Sequence, residues 1–138
     1  MEGDDEADRG ICKGQNGLMN PVNMNDTSFI IHARGVGGRL GVFEDDGESG
    51  YLYLYEPQGR KVLRHLHIYD RTRNLDVSAR DVQVTWSSDG TKVGVVIWGK
   101  MRGIIDTQND RDGRVWLESR DTPGIADRDW LRGFGTSS

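Results

Sequence analysis

The sequence predicts a mainly β fold: an antiparallel curled sheet or sandwich of about seven to eight strands, with a short C-terminal helix. Three observations carry it. Asp81–Trp116 divides into four apolar runs separated by turn signals at Ser88-Asp89-Gly90, Gly99-Lys100 and Gln108–Gly113. Tyr51–Glu56 alternates strictly, with Leu52 and Leu54 on one face and Tyr51, Tyr53 and Tyr55 on the other. Nineteen Gly against three Pro supply the positive φ angles that many short turns need.

Taken in chain order, residues 1–26 combine acids, Gly, Asn and isolated apolar residues without a period of 2 or 3.6. They are expected to form a flexible acidic arm. Residues 27–134 then make a single β domain, and residues 135–138 a frayed tail. Ser28–Arg34 and Arg39–Glu44 flank Gly35-Val36-Gly37-Gly38 as a hairpin. Pro57-Gln58-Gly59 closes the tyrosine strand. Strand alternation in Arg60–Asp70 puts Val62, Arg64, Leu66 and Ile68 on one face, and Leu63, His65, His67 and Tyr69 on the other. Arg71–Arg80 is polar and predicts a surface loop. Val82, Val84 and Trp86 share a face. Lys92–Trp98 is apolar on both faces, as in a strand covered on both sides. Met101–Thr107 and Val115–Glu118 complete the strands. Thr122-Pro123 has the pattern of a helix start, followed by about two turns over Ile125–Arg132.

The net charge of −4 is unevenly placed. Glu2, Asp4, Asp5, Glu6 and Asp8 against Arg9 account for all of it, and the rest of the chain holds equal numbers of acids and bases. A neutral body argues against nucleic acid as a partner, because phosphate binding needs a basic surface. No apolar run approaches the ~18 residues that would span a membrane, so no membrane partner is expected. A lone Cys12 and an acidic start, MEGDDEADRG, fit cytoplasmic residence.

Little in the chain points to catalysis. His65 and His67 are spaced to project from one strand face, but no third ligand stands at signature spacing, so no metal and no cofactor are expected. Gln108–Gly113 has oxygen ligands ahead of Gly, yet Ser119 stands where a calcium loop needs a bidentate Glu. Gly35–Gly38 is followed by a strand instead of the helix of a dinucleotide site. No G-x-S-x-G elbow is present. The candidate contact residues are Tyr51, Tyr53, Tyr55, Arg64, His65, His67 and Tyr69, since Tyr and Arg concentrate at interface hot spots. The plainer reading makes the tyrosines a second core layer with hydroxyls at solvent.

The run VTWSSDGTKVGVVI resembles a β-propeller hairpin, without the repeat a propeller requires. Over Gly50–Val115, the order GYLYLYE, VLRHLHIYD, a polar loop and VQVTWSSDGTKVGVVIWGKMRGIIDT resembles an uncharacterised family of small bacterial all-β proteins, a domain of unknown function. The resemblance implies a bacterial source and carries no catalytic residues.

The expected function is a non-catalytic protein-binding module, specifically a bacterial immunity protein that neutralises a cognate toxin, the toxin being its protein partner. A homodimer through a sheet edge stays open. The alternative is a small-ligand-binding protein or enzyme using the concave face of the sheet, with a pocket lined by Tyr53, His65, His67 and Trp98.

Overall fold

The structure, a computed structural model, describes residues 28–72 and 75–135. The expected arm over 1–26 and most of the tail lie outside them. Eight antiparallel strands form two four-stranded sheets that are not closed into a barrel. The first holds β1 (Phe29–Arg34), β2 (Leu40–Asp45), β3 (Ser49–Glu56) and β4 (Lys61–Asp70). The second holds β5 (Val82–Trp86), β6 (Lys92–Ile97), β7 (Lys100–Asp106) and β8 (Arg111–Arg114). In each sheet spatial order equals chain order, so the fold is two consecutive meanders, the strands within each joined by short turns.

The sheets pack face to face because each presents one apolar row set. Phe43, Leu52, Leu54, Leu66 and Ile68 from the first meet Val82, Val84, Val93, Val95, Ile97 and Ile105 from the second, all under 9% exposed. The sheets come close where a side chain is missing. A Cβ on Gly41 would sit 2.4 Å from Val93 Cγ2, and one on Gly103 would sit 2.6 Å from Ile68 Cδ1.

Four expectations are corrected. The loop after β4 is not merely superficial: Leu75 and Val77 are each 1% exposed and belong to the core. Trp98 does not extend β6. Trp98 (φ 54°) and Gly99 (φ 77°) form the tight turn into β7, both left-handed as a two-residue hairpin requires. The last strand is Arg111–Arg114 instead of Val115–Glu118. Asp106 accepts hydrogen bonds from the Gln108 and Asn109 amides, both at 3.1 Å, and so ends the preceding turn early. The helix is shorter than two turns, covering only Arg128–Leu131 (α1), with Asp127 accepting from the Asp129 amide. Thr122 does not cap it, because its hydroxyl accepts from the Glu118 and Ser119 amides, and the Ile125 amide donates to Met101 carbonyl instead.

After β8 the chain becomes a strap. Leu117 donates to Ile68 carbonyl at 3.1 Å, so the strap first touches the edge of β4. It then returns across the outer side of the second sheet, where Trp130 lies against Gly113 and Ile104 is fully buried. Arg102, fully buried, clamps it by donating to the carbonyls of Thr122 and Arg120 as well as Ile97. Lys92 Nζ donates to the carbonyls of Asp129 and Arg132 at 2.8 and 3.1 Å. Among the described residues no helix is long and apolar enough to cross a membrane.

Candidate functional site

The second sheet is thus covered on both sides, whereas no described residue lies over the outer face of the first. Register defines that face as three rows across β1 to β4. They are Ile30, Glu44, Tyr51 and His67; then His32, Val42, Tyr53 and His65; then Arg34, Leu40, Tyr55 and Val62. Every one of these side chains is half-buried or exposed, and Ile30 and Val62 are exposed large apolar residues. All three histidines of the chain lie here.

Within the rows the aromatic rings form a continuous run. Tyr53 stacks beside Tyr51 at 6.0 Å between centroids, and Tyr51 stacks on His67 at 4.6 Å with planes 19° apart. His67 then meets the edge of Trp116 at 4.9 Å, and the Arg114 guanidinium covers Trp116 at 5.0 Å. Polar bonds at both ends fix the rings. Tyr53 donates to Glu44 at 3.1 Å, and burial together with the Glu44 charge and hydrogen bond raises its phenol pKa well above the usual tyrosine value. His67 Nε2 lies 2.7 Å from Asp70 Oδ1, which also accepts from Ser49 Oγ at 2.6 Å. Hydrogen bonds from Ser49 and then His67 hold the Asp70 carboxyl below its ordinary range.

Ser49, Asp70 and His67 do not make a nucleophile triad. Activation of a serine needs the imidazole between hydroxyl and carboxylate, and here the carboxylate is the middle member. Among the described residues no group of three or more His, Cys, Asp or Glu is arranged to hold a metal ion.

Five of the seven expected residues, Tyr51, Tyr53, Tyr55, His65 and His67, come together on this face. Two do not. Tyr69 is fully buried on the inner face, where it packs against Phe43 at 6.0 Å and donates to Asp45 Oδ2 at 2.5 Å. Burial, followed by the Asp45 hydrogen bond, raises its phenol pKa. The cause of its placement is a bulge: Gly50 pairs with Tyr69 and Tyr51 with His67, so Ile68 is the extra residue and Tyr69 changes side. Arg64 pairs with Leu54 on the inner side, and a second bulge at Leu63 moves Val62 outward. Its guanidinium bridges the sheets, meeting Asp110 and, at 2.7 Å, Asp112 of the β7–β8 hairpin. Trp98, expected beside Tyr53, His65 and His67, sits in the β6–β7 turn against the interior.

Sequence reasoning did not place Trp116, Arg114 or His32 on this face. Alternation in FIIHAR marks Ile30, His32 and Arg34 as one face, which would have found His32. Trp116 reaches the face only because the strap crosses to β4, and no local pattern announces that.

The model of a family described as uncharacterised protein conserved in bacteria (DUF2251) matches residues 25–114, well over half of the chain. The chain belongs to this family. The matched region ends at Arg114, the last residue of β8, so it takes in both sheets and stops before the strap. No curated protein and no solved structure matches the chain.

Proposed function

We propose that this protein is a non-catalytic protein-binding module whose contact surface is the outer face of the first sheet, centred on Tyr51, Tyr53, Tyr55, His65 and His67 with Trp116 at its rim. One observation carries the reading: the Tyr53–Tyr51–His67–Trp116 run is stacked in advance on an outer sheet face that the described residues leave open. Aromatic side chains already held in place lose little rotamer freedom on binding, and Tyr, Trp and Arg dominate interface hot spots.

Within that class we propose an immunity protein acting in the bacterial cytoplasm on a cognate toxin. The acidic segment Glu2–Asp8 favours a partner with a basic surface, by steering its approach. The test is co-expression with the product of the adjacent gene. Wild-type protein restores growth, and Tyr51→Ala with Tyr53→Ala abolishes the rescue. Absence of rescue by the wild type overturns the toxin reading; undiminished rescue by the double variant overturns the face.

A further inference from the structure

A second site lies on the opposite side of the molecule, where the strap arches over the second sheet. Between them runs a half-open groove of about 740 Å³, a volume in the range that holds small organic ligands. Val96 and Met101 from the sheet, and Leu131 and Phe134 from the strap, give it an apolar lining. Arg128 and Arg132 are also among its lining residues, and Gln83 and Thr85 of β5 complete it. Arg128 is exposed and has no described partner. Arg132 has only a surface pair with Asp129 at 2.9 Å, in which both side chains are more than 70% exposed. Among the described residues the lining holds two guanidinium groups and no carboxylate.

An apolar trough whose cations both come from one short segment selects against two simple classes of ligand. A polyanion would leave the trough unfilled, and a neutral hydrocarbon would leave the guanidiniums unused. We propose that this groove binds a small amphiphilic carboxylate, with its chain along Val96, Met101, Leu131 and Phe134 and its carboxylate held by Arg128 and Arg132. The planar fork of a guanidinium matches a carboxylate in two-pronged geometry. The strap residues that build the groove lie beyond the region that matches the family, so the site depends on a segment outside the two-sheet unit.

The test titrates the full chain with decanoate, whose carbon chain of about ten atoms suits a groove of this size, below its micellar range. Backbone amide shifts in the NMR spectrum report the site. Saturable shifts at Val96, Gly99, Met101 and Leu131 are expected. Decan-1-ol should bind about tenfold or more weakly, as should decanoate to the Arg128→Gln, Arg132→Gln double variant. Tyr53→Ala on the other face should leave decanoate binding unchanged. Equal binding of the acid and the alcohol, or unchanged binding by the double variant, overturns the carboxylate site. An acidic hexapeptide that binds as tightly as decanoate also overturns it, because the apolar trough would then contribute nothing.

Discussion

Tyr51 and His67 stack across neighbouring strands, with ring centroids 4.6 Å apart and planes 19° from parallel. A bulge begins directly after the pair. Without the extra residue at Ile68, the Tyr69 ring would alternate onto the outer face, and Gly50 and Phe43 would face an empty space in the core. The bulge therefore supplies a core aromatic and leaves His67 in register with the tyrosines.

Tyr69→Phe keeps the ring but removes the hydroxyl that donates to Asp45. Asp45 is fully buried, and it retains Arg71 at 2.9 Å and the Gly47 amide at 2.8 Å. The loss of one charge-assisted bond should cost about 1–3 kcal/mol. Urea unfolding checks it, and an unchanged midpoint contradicts the role given to the hydroxyl.

Gly41→Ala places a methyl 2.4 Å from Val93 Cγ2 and 3.0 Å from Val84 Cγ1, neither of which can swing away as a long side chain would. Forcing the sheets apart should cost about 1–3 kcal/mol. A melting temperature equal to that of the wild type would show that the sheets approach less closely there.

How much of this was legible follows from the same geometry. Tyr51–Glu56, β5 and β6 could be read because period 2 runs through them and Gly marks their turns, whereas β7 carries a register shift at Arg102 and the last strand falls at Arg111–Arg114 instead of Val115–Glu118. Val62 and Tyr69 were misplaced because each bulge shifts parity by one, and neither Leu63 nor Ile68 is a residue type that signals a bulge; alternation already put Arg64 on the face of Leu66, and only its residue type made it a contact candidate. Trp98-Gly99 concealed a hairpin turn behind a large apolar residue where Asn is usual. Trp116 depended on a long-range crossing, and the fully buried Arg102 on a segment that returns over the sheet.

Asp89 provides a test in pH. Its carboxylate accepts from Ser87 Oγ, Thr91 Oγ1 and the Thr91 amide, and these bonds lower its pKa from 3.8 to about 2. A depressed folded pKa means that the stabilisation is fully present above 3.8 and is lost as pH falls through about 2. Asp89→Ala should therefore melt below the wild type at pH 7, with the gap closing as pH falls through this window. A gap that does not change between pH 7 and pH 2 contradicts the assignment.

Arg102→Met removes the buried clamp on the strap and leaves the Thr122 and Arg120 carbonyls without their donor. Because removal of a buried charge also relieves its desolvation, global stability should move little while the strap loosens. The Ile125 amide, bonded to Met101 carbonyl, should exchange with solvent about tenfold or more faster. An unchanged rate means that Lys92 and Trp130 hold the strap alone.

The contact face itself is tested most directly by its tyrosines. The chain has four: Tyr51, Tyr53 and Tyr55 on the outer face, and Tyr69 fully buried. Tyrosine-selective chemical labelling, resolved by mass spectrometry, compares the free protein with its complex with the adjacent gene's product. The expected result is labelling of the three outer tyrosines in the free protein, none at Tyr69, and loss of the outer labels in the complex. Outer tyrosines that label equally well in a stable complex would contradict the contact surface proposed here.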